Sequence, residues 1–173
     1  LHIFATGDVT GRLMLVPQAV RDGYVAATNA VIEGTVSANS PVNPLGSFTD
    51  PEYAQVGLTE AKARATHDIF VSKVLFEDTI RPIIDGRTTG FCKLIVDRRS
   101  RTILGCHIVG ERAVEIVQMA AIAIAGRVRI DELALIPISF PTYTDVLFRA
   151  ASLAAAELEP LGTERQEFMR FAA

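Results

Sequence analysis

The carboxylate of Asp8 follows a short apolar run in a setting that suits ligand binding. The apolar residues before it favour a β-strand, Gly7 lets a ligand approach the backbone closely, and the carboxylate offers two acceptor oxygens. In α/β sheets, ligands bind where the strands end. We therefore predict a buried strand over residues 3–8, ending in a turn able to hold a polyhydroxylated cofactor. The alternative is a turn carboxylate that caps a helix or loop.

A helix start follows this turn about eight residues later. The sequence LVPQA at 15–19 opens a long helical pattern with Pro17 near the first turn, where its missing N–H group costs little. The N-terminus of a helix carries about half a positive charge and unpaired N–H donors. We predict that this helix start points back toward the Asp8 turn and suits a ring oxygen or an anionic group of a cofactor.

The turn and the helix start resemble the last FAD-contacting segment of the pyridine nucleotide-disulfide oxidoreductases, the family of dihydrolipoamide dehydrogenase, glutathione reductase and mercuric reductase. Further motifs follow in that family's order and approximate spacing: FTDPE at 48–52, VGLTE at 56–60, GFCKL at 90–94, ILG at 103–105, VG at 109–110 and FPT at 140–142. The resemblance covers residues 1–158, and the motifs are highly specific as a set.

The resemblance implies an FAD site in the first part of the chain. Its FAD-contacting residues would be Gly7, Asp8, Leu15, Val16, Pro17 and Ala19. In the family, the aspartate accepts a hydrogen bond from an FAD ribityl hydroxyl. The helix start faces the pyrimidine end of the flavin, where its dipole favours negative charge on the reduced flavin. The complete enzyme would oxidise NAD(P)H.

The segment FPTYTD at 140–145 departs from the usual family pattern at two positions. Disulfide reductases of the family usually carry a histidine where this chain has Phe140, and a glutamate where it has Asp145. An imidazole moves protons near neutral pH, whereas a phenyl ring cannot. The resemblance further implies that Phe140, Pro141 and Thr142 lie at a homodimer interface.

Tyr143 and Asp145 are the predicted catalytic residues of this segment. Tyr143 carries the nearest hydroxyl group that could substitute for the missing histidine, and the alternative for it is a tyrosine packed at a helix start. A phenylalanine before the proline, with a tyrosine close behind, is similar to the mercuric-reductase-like branch. The chain ends FMRFAA, without the vicinal cysteine pair of mercuric reductases, so we predict no metal ligands.

Composition argues against several classes of partner. The chain has 173 residues, 49% of them hydrophobic, and a formal net charge of -3. This charge provides no field suited to nucleic acid or anionic lipid, and the most apolar predicted helix, near 111–125, is too short to span a bilayer. We predict no nucleic-acid or membrane partner.

The chain opens inside a predicted strand. We therefore expect it to be a C-terminal fragment of a longer protein.

Two cysteines, Cys92 and Cys106, lie outside any short-spaced redox or metal motif. If the strands that carry them pair symmetrically about Arg99, the two thiols lie nearly opposite each other. Their face would also carry four apolar side chains, those of Leu94, Val96, Leu104 and Ile108. We favour two reduced core thiols over a redox pair, because free cysteine packs as a small hydrophobe. Reduced thiols favour a cytoplasmic location.

The remaining pattern indicates the elements that position these residues. Helical spacing predicts three long helices, at about 17–33, 111–125 and 143–159. A short helix begins after Thr59, whose hydroxyl can cap it. β-Branched and aromatic runs predict four strands, at 53–57, 69–76, 90–96 and 102–109. The stretch at 34–46 reads as a linker with a domain boundary near residue 44.

We predict an α+β protein whose antiparallel sheet is covered by helices, preceded by a strand-helix fragment of an FAD-binding α/β domain. Residues 1–44 would be the C-terminal segment of that domain, 45–160 a dimerisation domain and 161–173 a tail. The implied function is that of the flavin-contacting and dimerising part of an FAD-dependent NAD(P)H oxidoreductase, inactive alone, whose electron acceptor stays open. The alternatives are a non-catalytic homodimerisation module and a dihydrolipoamide dehydrogenase-type reductase with a divergent interface site.

Overall fold

The computed structural model describes residues 3–32, 36–37 and 42–158. The chain forms two compact units, Leu1–Asn43 and Pro44–Ala173. In the described residues, the first unit holds one long helix, and the second holds a sheet with its helices. The predicted tail at 161–173 lies outside the described residues, as do residues 34–35 and 38–41 of the predicted linker.

The first unit begins with an irregular segment rather than a strand. Residues 3–6 form no regular structure, and Gly7–Thr10 forms a 3-10 turn that ends at Gly11, whose φ is 67°. The strand predicted over residues 3–8 is therefore wrong. A strand is stabilised by hydrogen bonds to a neighbouring strand, and the described residues of this unit supply none, so the Ile3 side chain stays 80% exposed.

Helix α1, Val16–Val31, confirms the first predicted helix. Pro17 lies in its first turn, where the missing N–H group leaves no intrahelical bond unmade. The buried residues of α1 are Gln18, Asp22 and Val25. Because two of these three are polar, hydrogen bonding contributes to fixing this face along with apolar burial.

The second unit contains a five-stranded antiparallel sheet. In chain order its strands are β1 Leu45–Ser47, β2 Tyr53–Gly57, β3 Ile69–Leu75, β4 Phe91–Asp97 and β5 Ile103–Val109. Their order across the sheet is β1-β2-β5-β4-β3. The four predicted strands are confirmed, and β1 is added at one edge, overlapping the end of the predicted linker.

Helices cover this sheet. Those of the second unit, within the described residues, are α2 Glu60–Arg64, α3 Ile80–Asp85, α4 Ala113–Ala125, α5 Ile130–Ala134 and α6 Asp145–Leu158. Helix α4 packs on β2 and β5, and α6 packs on β3 and β4. The predicted α+β fold is confirmed. In the described part of the chain, no helix has both the length and the apolar character needed to cross a membrane.

The buried face of the sheet forms the main core. The buried side chains that strand register places on this face include those of Ala54, Val56, Ser72, Val74, Cys92, Leu94, Val96, Cys106 and Ile108. Their burial removes apolar surface from water, at about 25 cal/mol per Å². A smaller cluster forms where Ala63 of α2 meets Ile69 and Ile95.

The register of β4 and β5 corrects the predicted position of the two cysteines. Cys92 pairs with Ile108, and Cys106 pairs with Leu94, so the thiols are diagonal neighbours instead of lying opposite each other. Their predicted location on one buried face is confirmed.

A bulge in β5 explains this difference. Ile95 pairs with Gly105 and Val96 with Ile103, which leaves Leu104 as the extra residue. Leu104 packs against the smaller cluster rather than on the face of the cysteines, so its predicted face is wrong. One inserted residue changes the face of a side chain, and the alternation pattern of the sequence does not reveal it.

Candidate functional site

The predicted FAD-contacting residues lie on the turn at Gly7–Thr10 and on the first turn of α1. Gly7 has a φ of 72°, a conformation that strains residues with a side chain. The Thr10 hydroxyl donates to the Gly7 carbonyl at 2.7 Å, and the Gly11 N–H donates to the Asp8 carbonyl at 3.0 Å. These bonds close the turn, and Asp8 remains exposed.

The structure brings this turn and the helix start together. A Cβ atom on Gly7 would lie 3.5 Å from the Cβ atom of Ala19. Leu15 precedes the helix in an extended conformation, and no side chain among the described residues caps the first N–H groups. An uncapped helix start and an exposed carboxylate together supply the donors and the acceptor that a cofactor with ring oxygens and hydroxyls requires. The individual FAD contacts stay predictions.

A buried polar cluster that the sequence analysis missed supports the turn. Asp22 is 3% exposed, and its Oδ1 accepts from Arg12 Nη2 at 2.8 Å and from Gln18 Nε2 at 2.7 Å. The available signal was the i,i+4 spacing of Gln18 and Asp22. Because Arg12 directly follows the turn, the cluster ties the turn to α1.

The segment before α6 is a compact turn. The Phe140–Pro141 peptide bond is cis, and the Phe140 side chain is 69% exposed. The Thr142 hydroxyl donates to the Ser139 carbonyl at 2.9 Å and lies 2.6 Å from the Thr144 hydroxyl oxygen. These contacts hold the exposed ring at the end of a closed loop.

Tyr143, in contrast, is buried, with 8% of its surface exposed. Its hydroxyl donates to Asp85 Oδ2 at 2.8 Å, and Arg81 Nε donates to the same oxygen at 2.8 Å. The Arg112 guanidinium lies 5.9 Å from the centroid of the tyrosine ring, and the Phe76 ring lies 6.4 Å away. The ring is therefore held by packing and the hydroxyl by a charged acceptor.

The environment of Tyr143 keeps its hydroxyl protonated. Burial and the Asp85 carboxylate raise the pKa of Tyr143 to about 12. The hydrogen bond from Tyr143, followed by that from Arg81, lowers the pKa of Asp85 from its ordinary value. At neutral pH the pair is a phenol and a carboxylate. Tyr143 can donate a hydrogen bond in this state, but it supplies no phenolate base.

A groove of about 470 Å³ lies beside this pair. Its lining includes Arg81, Arg112, Glu115, Pro141, Thr142 and Tyr143. Charged and hydroxyl groups thus meet the apolar proline ring in one opening. Asp145 is the first residue of α6, where a carboxylate complements the helix dipole. The catalytic roles of Tyr143 and Asp145 stay predictions.

The charged residues around Tyr143 were missed by the sequence analysis. Arg81 and Asp85 form an i,i+4 ion pair, a signal that depends on recognising α3 as a helix. Pro82 lies inside this six-residue helix, and proline is disfavoured in helix interiors, so the sequence pattern hides the helix. Arg112 contacts Tyr143 across distant parts of the chain, and no local pattern marks such a contact.

The two cysteines of the sheet form no disulfide bond with each other. Both are free and fully buried. A hydrogen bond with the Cys106 thiol, together with burial, raises the pKa of Cys92, so its thiol stays protonated and weakly nucleophilic. Among the residues that the structure describes, no three His, Cys, Asp or Glu side chains are grouped to hold a metal ion.

Comparison with known families matches residues 43–151 to the pyridine nucleotide-disulphide oxidoreductase dimerisation domain. The chain belongs to this family. The matched residues include the whole sheet and the segment that carries Tyr143. The pyridine nucleotide-disulphide oxidoreductase relationship stated from the motifs is thereby confirmed.

Several members of the pyridine nucleotide-disulphide oxidoreductase family are similar to this chain. A dihydrolipoyl dehydrogenase from Synechocystis is 34% identical over 86% of this chain and 32% of its own length. A mercuric reductase from Shigella flexneri is 37% identical over 77% of this chain and 24% of its own length. The chain thus spans about a third or less of these relatives.

Solved structures share the fold of this chain. The HOCl-induced flavoprotein disulfide reductase RclA from Escherichia coli is 25% identical, with a TM-score of 0.81 over 86% of this chain and 35% of the other. LpdA from Mycobacterium tuberculosis is 26% identical, with a TM-score of 0.80 over 87% of this chain and 33% of the other.

Proposed function

We propose that the chain is the C-terminal part of an FAD-dependent, NAD(P)H-oxidising oxidoreductase of the mercuric-reductase-like or dihydrolipoamide dehydrogenase-like branch. The observation that carries this proposal is the family match over 43–151. Residues 1–44 are assigned to the FAD-binding domain, 45–160 to dimerisation and 161–173 to a tail. The electron acceptor is left open, because the relatives include reductases of different substrates.

The geometry of the first unit fits an FAD contact. The glycine turn, the exposed Asp8 carboxylate and the uncapped start of α1 supply an acceptor and donors side by side. We assign the FAD contacts to Gly7, Asp8, Leu15, Val16, Pro17 and Ala19. When bound, FAD supplies the electron transfer from NAD(P)H, and these residues bind and orient it.

The second unit forms a homodimer in this proposal, through residues 45–160. The Phe140 side chain, 69% exposed on a closed turn, fits a surface that a second subunit covers. Phe140, Pro141 and Thr142 lie at this interface. Tyr143, as a hydrogen-bond donor, and Asp145, as a carboxylate, take the catalytic roles of the segment.

The same proposal includes a cytoplasmic location, which the free cysteines support. It includes no nucleic-acid or membrane partner, which the net charge of -3 supports.

The test combines the intact mass of the natural protein with its flavin absorbance. We expect a polypeptide longer than this chain that retains flavin through gel filtration and elutes as a dimer. A D8N variant should bind FAD at least about tenfold more weakly, the change expected when a hydrogen-bond acceptor loses its charge. D68N is the matched control, since Asp68 is another exposed carboxylate and pairs with Arg98 at 3.6 Å.

Two results would contradict the proposal. A colourless dimer of 18.7 kDa subunits would show a non-catalytic homodimerisation module. Equal flavin retention by wild type, D8N and D68N would move the FAD contact away from the Gly7–Thr10 turn.

A further inference from the structure

A chain of polar contacts joins α3 to the segment at 140–145. Arg81 and Asp85, one helical turn apart on α3, form an ion pair at 2.8 Å. The same carboxylate oxygen accepts the Tyr143 hydroxyl at 2.8 Å. Tyr143 lies near the middle of the segment, so this one acceptor acts on its position from outside the segment.

We propose that Asp85 is a positioning residue: held by Arg81, its carboxylate binds the Tyr143 hydroxyl and fixes the surface that the segment at 140–145 presents to a second copy of the chain. A hydrogen bond to a carboxylate is stronger than one between neutral groups, and it has a direction that ring packing lacks. The inference rests on the proposed function in one respect, the assumption that the partner facing this segment is a second copy of the chain.

Charged groups from two helical regions face Tyr143. Helix α3 supplies Arg81 and Asp85, and the residues just before α4 supply Glu111 and Arg112. Glu115 of α4 lines the same groove. Of these groups, Asp85 is the one whose hydrogen bond with the hydroxyl raises the pKa of Tyr143, in addition to burial. Removing Asp85 should therefore be visible in the titration of the phenol.

The first experiment is an absorbance titration of the tyrosines in the full chain, from which the titration of Y143F is subtracted. We expect Tyr143 to ionise with a pKa of about 12 in the wild type. D85A should lower this pKa, while burial keeps it above the ordinary value of 10.0. The matched control is E60A, which breaks another i,i+4 ion pair of 2.8 Å, that of Glu60 with Arg64. A titration of Tyr143 that D85A leaves unchanged would overturn the proposal.

The second experiment measures amide hydrogen exchange in peptides that cover 140–145. D85A should accelerate this exchange about fivefold, the change expected for one lost hydrogen bond, and E60A should not. Y143F, which keeps the ion pair of Arg81 and Asp85, should accelerate it equally and replaces D85A if that variant fails to fold. Unchanged exchange in Y143F would show that packing alone positions the segment. Neither experiment needs bound flavin. The role of Asp85 can therefore be tested even if the flavin-retention experiment fails.

Discussion

At the scale of the residue, Tyr143 shows how a single side chain can be recognised in sequence without its setting being known. Its place after the FPT motif marked it as the nearest hydroxyl that could substitute for a missing histidine. The structure adds that the hydroxyl is donated to Asp85 and that burial raises the pKa of Tyr143 to about 12. The chemistry available at neutral pH is therefore hydrogen-bond donation.

Stability at alkaline pH follows from this setting. The unfolded chain loses the Tyr143 proton near pH 10, whereas the folded chain keeps it to about pH 12. The contribution is fully present below pH 10 and is lost as the pH rises toward 12. We expect the free energy of unfolding of the wild type to fall between these values by up to about 1.4 kcal/mol per pH unit more than that of Y143F. Urea unfolding of both proteins at several pH values measures this difference. Parallel plots of unfolding free energy against pH for the wild type and Y143F would contradict the prediction.

Gly90 sets a second residue-scale prediction. Its φ is 131°, and a Cβ atom there would lie 1.9 Å from the Val109 carbonyl oxygen. We expect G90A to lower the free energy of unfolding by at least about 2 kcal/mol, because both the backbone and the neighbouring strand would have to move. In the control G23A, a Cβ atom would meet nothing within 4 Å and helix propensity improves, so urea unfolding should show no loss. Equal free energies of unfolding for G90A and G23A would contradict the predicted clash at Gly90.

At the scale of the element, the long patterns were read correctly, and the short helix α2 was found through its Thr59 cap, whereas the short helices α3 and α5 were missed. β-Branched runs identified β2 to β5, and helical spacing identified α1, α4 and α6, because each element buries one side along its length. Helices α3 and α5 span six and five residues, too few for a helical period to stand out. The strand predicted over 3–8 failed because strand formation depends on a neighbour as much as on propensity.

The buried face of the sheet gives the element-scale prediction. Ile108 is fully buried between Ala54 of β2 and Cys92 of β4. We expect I108A to lower the free energy of unfolding by about 2–5 kcal/mol, through lost burial and the cavity left behind. The matched control I122A changes an isoleucine of α4 that is 71% exposed and should cost less than about 1 kcal/mol. Chemical denaturation of both variants measures these changes. Similar losses of unfolding free energy in I108A and I122A would contradict the placement of Ile108 in the core.

At the scale of the whole molecule, the chain combines two units that contribute different groups. Leu1–Asn43 carries the glycine turn beside a helix start, and Pro44–Ala173 carries the sheet of the dimerisation domain. The chain spans 32% of a related dihydrolipoyl dehydrogenase. The proposed enzyme therefore depends on protein outside this chain, and dimerisation is the property that this chain can be tested for directly.

Self-association gives the whole-molecule prediction. We expect a dimer in sedimentation velocity, and F140D should raise its dissociation constant at least about tenfold, because a charge would be buried at the proposed interface. F4D is the matched control, since Phe4 is 42% exposed and lies outside the residues that match the dimerisation domain. Equal dissociation constants for the two variants would place the interface elsewhere.

The sequence by itself determined the fold class, the strands β2 to β5, the long helices and the family, because these depend on periodic burial and on motifs kept in order. It also placed both cysteines on one buried face. Only the tertiary structure decided the diagonal register of Cys92 and Cys106, since a bulge adds one residue without a local signal. It alone joined Tyr143 to Asp85 and Arg81, because contacts between segments far apart in the chain arise only when α3 and the start of α6 come together.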